Sequence, residues 1–523
     1  MTADWGPTEA LLARVETLAG AWNARARTST TAGQERALLR LFGVSGLDRM
    51  GRPLAGEVVD RYLSGGPGRL AGGVALPFAV ALLEYDMTPQ ALALDVAAGS
   101  IDLALEAELL RDSGRRAAAE AEAARLAEGA LERIDANRTA RRELLDLLGD
   151  PARPWIGLPL AETDLDTARP AVKRIVRDGG DLVRVSVPVG RELADRLHDA
   201  GVDVPDWHGS ESGGREAGPT EPTPAGSQRG LSELRLVVDE TAAERRSYVR
   251  LATVTPGLAA PEQAVVAAFE RVDVVFADVA AEIVEGRIDP DRALADHTFA
   301  NRFHRRAGSV VVVGPGPHIV APDMTRGVPS DPATRAGRGL ALQLLGVALA
   351  RRGGVPADQV VVGAMPAWLL EERDSAARAL AEVAVRRALL PDHALAFEEP
   401  HAALGSPIAA RWPFILAATI PYAGSTSLVM RETTAAAAGG GSAVRAASAV
   451  GREVAASSNG TALDGVALEH ARATIAAAAS TLERLADAGW RAVLGQAFEG
   501  PSSERLGADA VVERTEPFDP FAD

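Results

Sequence analysis

Residues 251–323 read LATVTPGLAAPEQAVVAAFERVDVVFADVAAEIVEGRIDPDRALADHTFANRFHRRAGSVVVVGPGPHIVAPD, and this stretch decides the fold. With the residues just before it, it holds three short β-branched runs: Tyr248 to Val254, Val272 to Phe276 and Ser309 to Val313. The segments between them are long enough for helices and are punctuated by Pro and Gly. The runs are continuously apolar rather than alternating, which suits strands covered on both faces of a parallel sheet. A ligand of such a sheet sits beyond the carboxyl ends of its strands.

The same alternation extends outward in both directions. Downstream, Asp331 to Arg352 predicts a helix, Gln359 to Gly363 a strand, Trp368 to Leu389 a helix and His393 to Phe397 a strand. Upstream, Trp155 to Leu160 and Leu182 to Val187 predict strands, with helices at Leu165 to Arg177, Gly190 to Ala200 and Leu231 to Ser247. The expected fold class is therefore α/β, a TIM (β/α)8 barrel with an N-terminal helical region and additional C-terminal helices. An open doubly wound sheet is the alternative. Beyond Pro400 the last one or two strands are not distinct.

At 523 residues the chain exceeds what one core usually serves. The expected division is an N-terminal helical region over 1–150, a barrel domain over 151–430 and a C-terminal helical segment and tail over 431–523. Residues 209–230, GSESGGREAGPTEPTPAGSQRG, are too poor in apolar side chains to order themselves and read as a flexible insert within the barrel. Near the start, TSTTAGQERALLRLFG offers Thr30 or Thr31 as a helix cap. The Ala/Glu/Arg stretch near 105–147 reads as a solvated helix or two, with an interaction arm as the sharper alternative. The closing ERTEPFDPFAD carries two Phe residues spaced for anchoring on another surface.

Composition excludes several chemistries. A net charge of −16 argues against nucleic acid as a partner. With no cysteine there is no thiolate metal site and no cysteine nucleophile. The opening MTADWGPTEA lacks the order of a secretory signal, and no apolar run reaches a membrane span, so a cytoplasmic location without membrane contact is expected. Lys173 is the only lysine, in an amphipathic helix pattern, so Schiff-base chemistry would need a lysine from another chain. The turn Gly314-Pro315-Gly316-Pro317-His318 lacks the N–H donors of a phosphate cradle. His297 and His304 lie seven apart on one helical face, but the arginines around them suggest an ordinary polar surface, and no metal site is expected.

If the barrel closes, residues just past its strands line the mouth. Among them are Gly190, Arg191, Asp278, Glu398 and His401, within a set where carboxylates outnumber bases. Such a mouth suits a cationic substrate by charge complementarity.

Four stretches, TSTTAGQERALLRLFGVSGLD, MTPQALALDVAAGSIDL, GLAAPEQAVVAAFERVDVVFAD and the closing PFDPF, resemble in order the D-lysine 5,6-aminomutase alpha subunit family. The resemblance implies a TIM barrel working with a smaller beta subunit. Adenosylcobalamin and pyridoxal phosphate are the implied cofactors, bound jointly with that partner, for a 1,2-amino shift on a diamino acid such as lysine or ornithine. It implies catalytic roles for Asp278, Arg292 and Asp296, cofactor contacts at Gly190, Arg191, Gly257 and Gly314, and substrate contacts at Glu398 and His401.

Departures from the family pattern fall in the expected site. Val254 stands where the family has a tyrosine that stacks on the pyridoxal ring. Val187 and Glu192 stand in place of its phosphate-side arginine and serine, with Arg184 and Arg191 displaced nearby. Arg287, Ala364 and Ala402 replace an acid, a histidine and a lysine. Two functions follow as expectations: an isomerase component with altered substrate or chemistry, or a catalytically lapsed homologue kept as a partner-binding or regulatory subunit.

Overall fold

The computed structural model describes residues 8–48, 53–64, 66, 68–160, 165–185, 228–254, 260–284, 288–314, 331–399, 407–420, 423, 426–430, 463, 465–494, 511–515 and 518–521. The chain opens on a helix, Thr8–Arg27, then a short strand β1 (Ser29–Thr31) and a helix, Ala32–Leu41. Thr31 caps that helix, its hydroxyl accepting from the Gln34 N–H at 3.1 Å. Further helices follow, ending in Ser113–Leu148. That long helix is not a free arm. Ala119, Ala123, Ala127, Leu131 and Ile134 recur at three- and four-residue spacing and are buried against the N-terminal helices.

Eight parallel strands then close into a barrel: β2 (Trp155–Pro159), β3 (Leu182–Val185), β4 (Arg250–Val254), β5 (Val274–Phe276), β6 (Val310–Val313), β7 (Val360–Gly363), β8 (Ala394–Glu398) and β9 (Thr426–Met430). The closing strand is the one that the sequence left indistinct. β9 pairs with β8 on one side and with β2 on the other, which rules out the open sheet. Before it runs the helix Pro407–Thr419. The helix ahead of β4 begins at Gln228, so the last three residues of the expected insert are helical, and the rest of it lies outside the described residues.

Side-chain alternation sorts the barrel into two cores. Trp155, Leu182, Ala252, Val274, Val312, Val361, Ala396 and Leu428, one from each strand, meet in the lumen. Val183, Val275, Val311, Val362, Phe397 and Val429 point outward under the helices. Continuous apolar strands are thus what a barrel packed inside and out requires. At the amino-terminal end of the strands Arg250 stacks on Trp155, its guanidinium carbon 3.4 Å from the ring centroid, and bonds Asp150 at 2.6 Å.

The helix Ala32–Leu41 welds the N-terminal helices to the barrel. Every residue in it is buried, including Gln34, Glu35, Arg36 and Arg40. Gln34 donates to the Ala295 carbonyl at 3.0 Å, and Arg36 and Arg40 both bond Glu262, at 2.7 and 2.8 Å. At the other end of the chain, β10 (Val511–Glu513) pairs antiparallel with β1. Phe518 then packs on Phe42, and Phe521 meets Phe303 edge-on at 4.8 Å with Arg302 over its ring at 4.4 Å. The two Phe residues of the tail therefore anchor on the chain's own surface. A kinked C-terminal helix, Gly465–Leu494, packs across Pro332–Arg352 and Ser375–Leu389. No helix among the described residues is long and apolar enough to cross a membrane.

Candidate functional site

The lumen-facing alternation carried to the carboxyl ends of the strands gives a ring of eight positions. These are Pro159, Arg184, Val254, Phe276, Gly314 just past β6, Gly363, Glu398 and Met430, taken from β2 through β9 in order. Met430 is fully buried and its sulfur fills the space over Gly157, forming the floor. Pro159, Arg184, Val254, Phe276 and Glu398 are half-buried. Arg184 reaches across to Phe276, with its guanidinium carbon 5.7 Å from the ring centroid. The ring thus carries one guanidinium, one carboxylate and one aromatic face. At the end of β7 Gly363 adds no side chain, and at Gly314, just past β6, a positive φ turns the Cβ direction onto Gln343 of the helix Pro332–Arg352.

Gly314 needs its lack of a side chain twice over. Its φ is +126°, and a Cβ there would fall 1.8 Å from Gln343 Nε2. Gln343 bonds the carbonyl of Gly363 at 2.9 Å, its own carbonyl accepts from Arg386 at 2.7 Å, and Arg386 is paired with Glu382 at 2.5 Å. Glu382 also takes His470 at 3.0 Å and Thr474 at 3.1 Å from the C-terminal helix. Burial alone would raise the Glu382 carboxyl, but Arg386 and His470 hold it down at about 2. The ends of β6 and β7 are in this way tied through three helices to residue 474.

Asp278 stands just past β5, half-buried, with its side chain under the helix Pro332–Arg352 at Gly346. Arg292 and Asp296 lie on the next helix, Pro290–Ala307, and are 1% exposed. Arg292 Nε donates to Asp296 Oδ2 at 2.5 Å, and Asp296 Oδ1 accepts from the Thr31 hydroxyl. Through Asp296 the pair is tied to Thr31, at the start of the N-terminal helix Ala32–Leu41. Glu399, next to Glu398, is buried, and its N–H donates to the Met430 carbonyl at 2.8 Å. Gly190, Arg191, Gly257 and His401 lie outside the described residues.

His297 and His304 are not on a polar surface. They are 5% and 1% exposed, and the pKa of His304 is pushed down to about 3 by burial and by His297. His297 Nε2 lies 2.8 Å from Glu282 Oε2. No group of three or more His, Asp or Glu side chains among the described residues could hold a metal ion. Lys173 is on the outer helix Leu165–Arg177, 3.8 Å from Glu244 and away from the mouth.

Sequence reasoning missed the lumen role of Arg184 and Phe276. The signal was present in the alternation, since Leu182 and Arg184 share one face of β3 and Val274 and Phe276 share one face of β5.

The family model for the D-lysine 5,6-aminomutase TIM-barrel domain of alpha subunit matches residues 11–406. The lysine 5,6-aminomutase alpha subunit of Fusobacterium nucleatum is 26% identical over 362 residues, covering 69% of this chain and 64% of that protein. The one from Acetoanaerobium sticklandii is 27% identical over 336 residues, covering 64% of this chain and 59% of that protein. The match thus spans less than two thirds of either relative's length. Among solved structures, a dihydropteroate synthase from Coxiella burnetii superposes with a TM-score of 0.34 at 13% identity, covering 59% of this chain and 95% of that one, too slight a likeness to inform function. With the matched region taking in both the N-terminal helices and seven of the eight barrel strands, the chain belongs to the family of the D-lysine 5,6-aminomutase alpha subunit TIM-barrel domain.

Proposed function

We propose that this chain is the barrel component of an aminomutase that moves an amino group between adjacent carbons of a diamino acid such as lysine or ornithine. In this reading it works with adenosylcobalamin, pyridoxal phosphate and a smaller cobalamin-binding beta subunit. The observation that carries the reading is the ring at the mouth: Arg184 on β3 and Glu398 on β8 set opposite charges at one opening, with Phe276 beside the guanidinium. A guanidinium suits a phosphate or carboxylate, and a carboxylate suits an ammonium group.

The residues present fit half of the cofactor site. Arg184 and Phe276 suit an anionic, planar group, whereas the single lysine sits on an outer helix and offers no amine to the mouth. The amine must then come from the partner. The chemistry the two cofactors supply when bound is covalent capture of the amino group and radical initiation. This chain's own share is to orient the substrate's charged ends between Arg184, Glu398 and Asp278 and to exclude water with its apolar floor. Arg292 and Asp296 act from behind, bracing the helix that follows Asp278.

A second reading, a lapsed homologue serving as a partner-binding or regulatory subunit, is favoured by Val254. Its aliphatic side chain occupies the ring position on β4, so that strand contributes no aromatic face to stack on a cofactor ring. Purification with a cobalamin-binding partner separates the two. A pyridoxal absorbance band that shifts on adding lysine or ornithine is expected from the aminomutase, and a stable complex with no band supports the regulatory subunit.

A further inference from the structure

We infer that His297 is the positioning residue for Asp278, gripping Glu282 and thereby fixing the short helix that carries Asp278 at its head. This rests on reading the rim as the functional site, but the experiment below does not depend on that reading.

The geometry is local and closed. The helix Val279–Val284 directly follows β5, and its first turn is closed by the Glu282 N–H donating to the Asp278 carbonyl at 3.1 Å. Two residues of a helix this short cannot move independently. Glu282 is 3% exposed and His297 5% exposed, and their side chains meet at 2.8 Å. Among the described residues neither Glu282 oxygen nor His297 Nε2 makes an aligned hydrogen bond, and it is the 2.8 Å separation that sets the imidazole against the buried carboxyl. His297 belongs to the long helix Pro290–Ala307, which is fastened to the N-terminal region through Asp296 and Thr31. The short helix is packed into the core by Val279 and Ile283, and the Glu282–His297 contact is its polar tie to the rigid helix.

That contact depends on a proton. Burial opposes a charge on His297, but Glu282, Asp278 and Asp296 around it raise its pKa, while burial raises that of Glu282. The other titratable group facing His297 is His304, on the same helix. Charges on the neighbouring helices are already matched: Glu262 by Arg36 and Arg40, and Arg25 by Asp291. The helix Pro332–Arg352 passes behind Asp278 with an uncharged Gly346. With both folded-state values raised, the pair keeps a shared proton at and below neutral pH, and the grip is lost as pH rises through the folded value of His297. Above that value a buried carboxylate would face a neutral imidazole.

Hydrogen exchange on the full-length protein, corrected for the intrinsic rate, tests this on the segment 277–284. Between pH 6 and pH 9 protection there should fall on the order of tenfold while strand 310–313 keeps its protection. In Glu282→Gln the amide can hydrogen-bond a neutral imidazole, so protection should become independent of pH. His297→Leu should lose the protection at every pH. A wild-type segment whose protection does not change with pH, a parallel loss in 310–313, or a Glu282→Gln profile that follows the wild type would each overturn the assignment. The wild-type series alone decides should a variant fail to fold.

Discussion

Glu262 accepts a hydrogen bond from Arg36 at one oxygen and from Arg40 at the other, at 2.7 and 2.8 Å, and all three side chains are buried. The two arginines come from the N-terminal helix Ala32–Leu41 and the carboxylate from the first turn of the barrel helix Ala260–Phe269. Removing the carboxylate takes from two buried cations the charge that both of them bond. Glu262→Ala should therefore cost about 3–5 kcal/mol, measured by urea denaturation at neutral pH. Burial opposes ionisation of Glu262, yet the arginines hold its pKa below the ordinary value, so the wild-type contribution is present above about pH 4.5 and is lost as pH falls.

Asp273 plays the same part at the amino-terminal end of the strands. It accepts from Tyr248 at 2.7 Å, from Arg235 at 2.9 Å and from the Leu251 N–H at 2.9 Å, and it lies 2.9 Å from Arg141 Nε. The residue joins β4 and β5 to the helix Ser113–Leu148, far from the mouth. Asp273→Ala should lower stability by about 3–5 kcal/mol while leaving any ligand affinity of the surviving folded protein unchanged. A thermal melt read beside a titration at the mouth checks both halves.

Gly314→Ala places a methyl group on a backbone with φ of +126° and into the amide of Gln343. The strain and overlap together should cost about 2–4 kcal/mol. Because Gln343 also holds Gly363, the variant should loosen β7 as well as β6, visible as faster hydrogen exchange in 360–363. Unchanged exchange there would show that the two strand ends are held independently.

The carboxyl-terminal tail is a clasp. Phe521→Ala removes the edge contact to Phe303 and the cation–π contact with Arg302, and should cost about 1–3 kcal/mol. Limited proteolysis is the sensitive readout. Cleavage near residue 511 should appear in the variant before any loss of the barrel's own resistance.

Some of this was legible in the residues and some was not, for reasons that can be named. The runs around Val274 and Val310 announce buried parallel strands because a closed barrel wants apolar side chains on both faces. β9 escaped because Thr426 to Met430 is short and follows a helix containing Pro413, so neither period stands out. The helix Ala32–Leu41 was legible as a helix but not as a buried one. Its Gln and two Arg read as solvent-facing until their partners, some 220 to 260 residues away, are in place, and Glu35 until Thr30 and the Val74 N–H meet it. His304 misled for the same reason: its arginine neighbours point away from it. At the mouth, Arg184 and Phe276 sit within the strands, where a side chain's lumen or outward direction is set by the alternation and not by the loop that follows.

Glu382 offers the cleanest pH test in the molecule. Its carboxyl, fully buried, is held at about 2 by Arg386 and His470 against the pull of burial, whereas in the unfolded chain it titrates near the ordinary 4.5. A depressed folded-state value contributes stability that is present above about pH 4.5 and is lost as pH falls from there toward 2. The contribution at neutral pH is about 3 kcal/mol by linkage. Glu382→Gln keeps the shape and cannot titrate, so its deficit relative to wild type should be largest at pH 7 and should shrink steadily below pH 4.5. Urea midpoints for both proteins at pH 7, 5, 4 and 3 give that difference directly, and other acids cancel because the two chains share them. A deficit that stays constant across the series would mean that the Gln343–Arg386–Glu382–His470 chain is held by its packing rather than by the charge at its centre.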